Sequence, residues 1–167
     1  MLPSAILYTS ATGHTRQYAL LLGETLGLPV FSLKDAVNLI HDSRPAIYLG
    51  WIHASHVKGF STARKHFTLC AVCGVGLCDT GTLTDQVRLA TGIPDDIPLF
   101  TLQGGMDHSK LRGMDKLLIS MLTKGLAGKK NPTPQDSRML ELLSRDGNYV
   151  DARNLSQVLK WHQMELG

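Results

Sequence analysis

Ala5-Ile6-Leu7-Tyr8-Thr9-Ser10-Ala11-Thr12-Gly13-His14-Thr15-Arg16 decides how the rest of the chain reads. The first four residues are a short apolar run, the signature of a buried strand. Tyr18, Leu21, Leu22, Thr25 and Leu26 follow at the spacing of one helix face. Between the two runs, Thr9 to Thr15 hold four hydroxyl side chains and one glycine in seven residues. A strand that feeds a helix N-terminus through such a loop presents unpaired N–H groups and a positive partial charge to an anion. Ser10, Thr12 and Thr15 add neutral donors, and Gly13 permits close backbone approach. The bland alternative is a Ser/Thr cap on an ordinary helix, which needs one hydroxyl rather than four.

The loop has no lysine, so it is not a P-loop. It also lacks the Gly-x-Gly-x-x-Gly that admits a pyrophosphate. A neutral, hydroxyl-rich cradle suits one terminal phosphomonoester. The pattern Ser10-x-Thr12-Gly13-x-Thr15 resembles the flavodoxin phosphate loop, which holds the 5′-phosphate of FMN.

Outward from this loop, strands and helices alternate. Strands are expected near 4–9, 30–33, 46–51, 67–73 and 99–102. Helices are expected at 14–27, 56–66, 82–91 (opened by Thr82 or Thr84), 109–123, 134–144 and 154–165, with a helical turn at 35–40. Five apolar strands separated by helices imply a doubly wound α/β fold: a five-stranded parallel sheet with helices on both faces, three layers deep. Five strands suit the flavodoxin-like order 2-1-3-4-5, with the ligand at the carboxyl end of strands one and three. At 167 residues the chain is expected to form a single domain.

The loops after strands three and four then lie beside the phosphate loop. Trp51 offers a face on which a flat heterocycle stacks, or else it is a core tryptophan at a strand end. Ile52 lies next to it, and His53 and His56 donate to a ring or stay on the surface. Gly74, Val75 and Gly76 open a Gly-rich segment whose backbone N–H groups would reach the pyrimidine edge of an isoalloxazine. A Gly-rich turn with no ligand is the other reading of that segment.

The second half adds a family resemblance. Leu102-Gln103-Gly104-Gly105-Met106-Asp107-His108-Ser109-Lys110-Leu111 precedes Met114-Asp115-Lys116-Leu117-Leu118-Ile119, a Gly-Lys loop and Asp151-x-x-Asn154-Leu155. This order resembles the flavodoxin-domain family that includes menaquinone-dependent protoporphyrinogen oxidase, over nearly the whole chain. The resemblance implies FMN held by a phosphate cradle of Ser10, Ala11, Thr12, Gly13, His14 and Thr15. It implies ring contacts from Trp51, Ile52 and His53 and backbone contacts from Gly74, Val75 and Gly76. Two departures stand beside it. The oxidase carries a long basic and aromatic insertion between its fourth and fifth strands, whereas Gly74 to Pro98 is short and nearly free of both. Electron-carrier flavodoxins are acidic with a tyrosine beside the ring, whereas this chain carries +3 and no aromatic between Phe67 and Phe100. Three functions are therefore carried forward. One is an FMN redox protein serving a protein partner or small acceptor, the second an oxidase with a quinone acceptor, the third a non-redox binding module on the same fold.

Seventeen basic against fourteen acidic residues give no reason to expect nucleic acid. The cations concentrate late, at Lys110, Arg112, Lys116, Lys124, Lys129 and Lys130, which suggests peripheral membrane or quinone contact beside the commoner solvated face. Cys70, Cys73 and Cys78 are odd in number, and the chain runs straight into its first strand, so a reducing cytoplasm is expected. Residues three apart in a strand point to opposite faces, so Cys70 and Cys73 are expected to be unpaired thiols without a metal. Cys78, past the strand, is the thiol that lines a pocket.

Overall fold

The computed structural model describes residues 1–167. β1 (Ala5–Thr9), β2 (Val30–Ser32), β3 (Pro45–His53), β5 (Thr68–Gly76) and β6 (Leu99–Gln103) form a parallel sheet in the order β2-β1-β3-β5-β6. A two-residue strand, β4 (His56–Val57), turns back antiparallel on the end of β3. With that hairpin set aside, the five main strands run 2-1-3-4-5, the flavodoxin-like order.

Both faces of the sheet are covered, so its central strands are apolar through their middles and alternate there only in which layer they serve. Ala5, Leu7, Ala46 and Tyr48 pack with Leu33, Ala36, Phe60, Ala63 and Val87. These come from α2 (Leu33–Leu39), α3 (Phe60–His66) and α4 (Thr84–Thr91). Ile6, Ile47 and Leu49 pack on the other side with Tyr18, Leu22, Val158 and Trp161, from α1 (His14–Leu26) and α7 (Ser156–Leu166). The result is a three-layer α/β/α sandwich.

Several local expectations change. α2 begins at Leu33, two residues early, because the Ser32 hydroxyl accepts the Asp35 amide at 3.1 Å and caps it. Neither Thr82 nor Thr84 caps α4; Leu83 does so with left-handed backbone, φ 57°. The expected helix at 56–66 is split into β4 and α3 by Gly59, at φ 81°. A Cβ there would stand 2.1 Å from the Tyr48 hydroxyl, so both backbone and space demand glycine. The Tyr48 hydroxyl sits between Thr9 Oγ1, at 2.8 Å, and the Lys58 carbonyl, and burial pushes its pKa up to about 12.

Cys70 and Cys73 do not point to opposite faces. The register between β3 and β5 slips by one residue at Ala46–Ile47, so Cys70 bulges out of the pairing. Both cysteines then pack against the same core cluster. All three cysteines carry free thiols, and burial pushes that of Cys73 up to about 12.

Between β6 and α7 the chain leaves the sheet. It forms β7 (Gly105–Met106), then α5 (Gly113–Ala127), α6 (Pro134–Ser144) and β8 (Gly147–Asn148), which pairs antiparallel with β7. The expected helix at 109–123 is thus a 3₁₀ turn at 108–110 followed by α5, because Leu111 and Arg112 have extended backbone and interrupt it. α6 carries a full capping box: the Thr133 hydroxyl accepts the Asp136 amide at 3.1 Å, and Asp136 accepts the Thr133 amide at 2.8 Å. No helix is long and apolar enough to cross a membrane.

Candidate functional site

Position along the strands, rather than any one side chain, creates the site. The carboxyl ends of β1, β3, β5 and β6 open into one cavity of about 660 Å³, roofed by α5 and α6. Its size lies within the range of about 300–1,000 Å³ that suits a cofactor-sized ligand.

At one end lies the loop from β1 to α1. Gly13, at φ 103°, turns the chain into the helix, and nothing stands within 4 Å of where its Cβ would be. The Ser10 hydroxyl oxygen accepts the amides of Gly13 at 3.1 Å and Arg16 at 3.4 Å. Gly13 holds the N-cap position itself, and Ser10, three residues before it, ties the loop to the first turn in place of an ordinary Ser/Thr cap. Thr12 Oγ1 pairs with His14 Nδ1 at 2.9 Å. The first helical bond runs from Gln17 N to Gly13 O, so the amides of His14 and Thr15 ahead of it have no backbone acceptor. Ala11, Thr12, His14 and Thr15 line the cavity, while Ser10 and Gly13 stand behind them.

Desolvation first, and then the nearby Lys110 cation, hold the His14 imidazole below its ordinary pKa. Lys110 arrives from 98 residues away, its ammonium donating to the Thr12 carbonyl at 3.3 Å and lying 3.4 Å from Asp107. A loop without a lysine of its own thus acquires one through tertiary structure. Nothing local to residues 9–16 signals it.

Across the cavity, Trp51, Ile52 and His53 belong to β3 itself, which runs to His53 rather than ending at Trp51. The chain reverses at Ala54 and Ser55, both in left-handed conformation (φ 48° and 65°), as a two-residue hairpin turn requires. Trp51 meets His53 edge-on, ring centres 5.3 Å apart, and Lys58 Nζ lies 5.9 Å from its ring centre. His53 Nε2 is 3.2 Å from the Asp115 carboxylate, which ties β3 to α5. His56 is exposed and turns its Nδ1 to the Ala54 carbonyl at 2.7 Å, so it stays on the surface.

The Gly-rich segment is corrected in one respect. β5 continues to Gly76, so Gly74 and Val75 are paired with both β3 and β6 and are not loop residues. Gly74 does not line the cavity. A Cβ on it would stand 3.0 Å from Ile52 Cδ1, so its bareness makes room for that side chain. Val75 and Gly76 do line the cavity, followed by Leu77, Cys78 and Asp79. Burial and the Asp79 charge raise the Cys78 thiol pKa, which leaves it a poor nucleophile.

The remaining wall is aliphatic. Leu118, Ile119, Leu122 and Leu126 of α5 face Met139 and Leu143 of α6. Two polar contacts fasten these helices over the cavity, His53 Nε2 with Asp115 at 3.2 Å and the Arg138–Asp79 ion pair at 3.3 Å. Behind it, the buried Tyr18 hydroxyl donates to the Gln103 carbonyl and accepts from Asn154 Nδ2 at 2.7 Å, pinning the end of β6. Comparison with protein-family models, with curated proteins and with solved structures finds no match to this chain.

Proposed function

We propose that this chain is an FMN-binding redox protein that passes electrons to or from a protein partner or a small acceptor. The observation that carries the reading is the juxtaposition at the carboxyl edge. The unpaired amides of His14 and Thr15 and the side chains of Thr12 and Thr15 lie at one end of a cavity that has Trp51 further along its wall. Those donors suit a phosphate, and the α1 macrodipole adds to their attraction for it. Lys110 adds a cation at the loop, partly offset by Asp107. Trp51 and Ile52 supply apolar surface for a flat ring, with Val75 and Gly76 facing it from β5. The cofactor, when bound, supplies the electron-transfer chemistry. The chain's residues hold it, exclude water with the aliphatic wall of α5 and α6, and set the polarity around it.

A second reading, an oxidase-like flavoenzyme acting on a porphyrinogen with a quinone acceptor, draws on one observation. The wall made by Leu118, Ile119, Leu122 and Leu143 is wholly aliphatic and lies apart from the phosphate loop, which suits an apolar second substrate. Failure of FMN-loaded protein to oxidise protoporphyrinogen with a menaquinone acceptor removes it. A cytoplasmic setting belongs to the same proposal, supported by three free thiols.

The test is the visible spectrum of the purified protein before and after addition of FMN. Retention through desalting of bands near ~370 and ~450 nm, as expected of a bound isoalloxazine, supports both redox readings. No bands and no uptake of FMN leave only the non-redox binding module.

A further inference from the structure

α5 is fifteen residues long and has no buried residue. Its apolar side chains divide between two directions. Leu118, Ile119 and Leu122 turn toward the cavity, whereas Met114, Leu117 and Met121 follow one another at i, i+3 and i+7 and lie 77%, 52% and 62% exposed. That second row is a stripe of one helix face, and nothing in the chain covers it. The cations around it are also unpartnered. Of the six cations from residue 110 to 130 only Lys110 and Lys129 form ion pairs, and Arg112 lines the cavity, which leaves Lys116, Lys124 and Lys130 free. The one acid on the helix, Asp115, is turned inward to His53.

We propose that α5 docks in the plane of an anionic lipid surface, with Met114, Leu117 and Met121 entering the headgroup–acyl boundary and the free cations meeting lipid phosphates. Three features choose this occupant. A second copy would bring like charge against like charge, because α5 carries the free cations Lys116 and Lys124 and no free acid. A specific protein partner is usually recognised through aromatic anchors or directed hydrogen-bond donors and acceptors, and the stripe offers only thioether and aliphatic groups. Long lysine stems beside an exposed Met/Leu row are what an interfacial helix uses, the stems lying along apolar surface while the ammonium groups stay in water. α5 lies on the membrane rather than across it, since it is too short and too charged to span. This inference does not depend on the cofactor assignment.

Vesicle flotation with the full chain tests it, using phosphatidylglycerol–phosphatidylcholine vesicles against pure phosphatidylcholine. Binding to the anionic vesicles alone is expected, and it weakens as salt rises from roughly 0.1 to 1 M and the screening length shrinks. The double variants Leu117→Ser/Met121→Ser and Lys116→Glu/Lys124→Glu each lower the partition coefficient by at least roughly tenfold. Hydrogen exchange on the unaltered protein gives a readout independent of any variant's folding: amides of 113–127 slow when anionic vesicles are present. Equal binding to neutral vesicles, no binding to either, or exchange unchanged in α5 overturns the proposal. A concentration-dependent dimer abolished by the same serine substitutions overturns it in favour of a second copy. FMN uptake measured on the same preparations separates this outcome from any failure of the cofactor reading.

Discussion

At the scale of the residue, the β1–α1 loop divides its hydroxyls between two tasks. Ser10 is consumed by the amides of Gly13 and Arg16, so Thr15, and Thr12 with its hydroxyl also paired to His14 Nδ1, are the hydroxyl side chains that line the cavity. A hydrogen bond to a charged group contributes about 1.5–3 kcal/mol. Thr12→Ala and Thr15→Ala should each weaken FMN binding by roughly 10- to 100-fold in a fluorescence titration. Unchanged affinity in both variants removes the phosphate assignment. Gly59→Ala should destabilise by about 2–4 kcal/mol in urea denaturation, the sum of a left-handed backbone and a contact that cannot relax. Loop composition made it legible that the β1–α1 loop lines the cavity; that it cradles a phosphate is the proposal the threonine variants test. The role of Gly74 was not legible, because a glycine that admits a neighbouring Ile52 and one that admits a ligand read alike. Cys70 was misread for a different reason. Period-two reasoning assumes an unbroken ladder, and a one-residue bulge leaves no mark in sequence.

At the scale of the element, α6 shows how a helix start responds to pH. Lys129, at 2.6 Å, is the main cause of the depressed pKa of Asp136, and the Thr133 amide adds to it, bringing it to about 2. A carboxyl whose folded pKa lies below its unfolded value stabilises the fold above the unfolded value of 3.8 and loses that contribution as pH falls toward about 2. Exchange of the first-turn amides of α6 should therefore accelerate, relative to the intrinsic rate, between pH 4 and 2. Asp136→Asn should abolish that extra acceleration. A profile identical in both proteins means the capping box does not govern the helix start. The existence of α5 and α6 was legible from their periodicity, but their placement was not. Leu118, Ile119 and Leu122 have the spacing of an ordinary core-facing stripe, yet they face a cavity. Periodicity reports that a face is apolar and says nothing of what it meets.

At the scale of the whole molecule, strand order was legible because apolar runs, short connections and right-handed crossovers leave few topologies for five parallel strands. The completed site was not, because it is assembled from distant segments. Lys110 reaches Thr12, Asp115 reaches His53 and Arg138 reaches Asp79 only after the chain has left β6 and returned. A ligand that binds across all of these segments stabilises the folded chain as a unit. At FMN concentrations of ~100 times Kd the gain is about 2.7 kcal/mol, which for a chain of this size raises Tm by about 5–10 °C. Calorimetry with and without FMN checks this, and no upward shift at saturating concentrations counts against a site formed by the native fold. Riboflavin, which lacks the phosphate, should give a smaller shift.

The N-terminal ammonium of Met1 lies 2.6 Å from the carboxylate of Glu165. Met1 and Glu165 therefore meet at the amino edge of the sheet, opposite the cavity. A short peptide bridge could join them without disturbing a strand, and the chain could then be reopened at residues 128–133, between α5 and α6. In such a rearranged molecule each of those two helices becomes a terminal arm, α5 held through β7 and α6 through β8. The roof of the cavity would then be divisible by a change of connectivity alone, with every side chain left as it is.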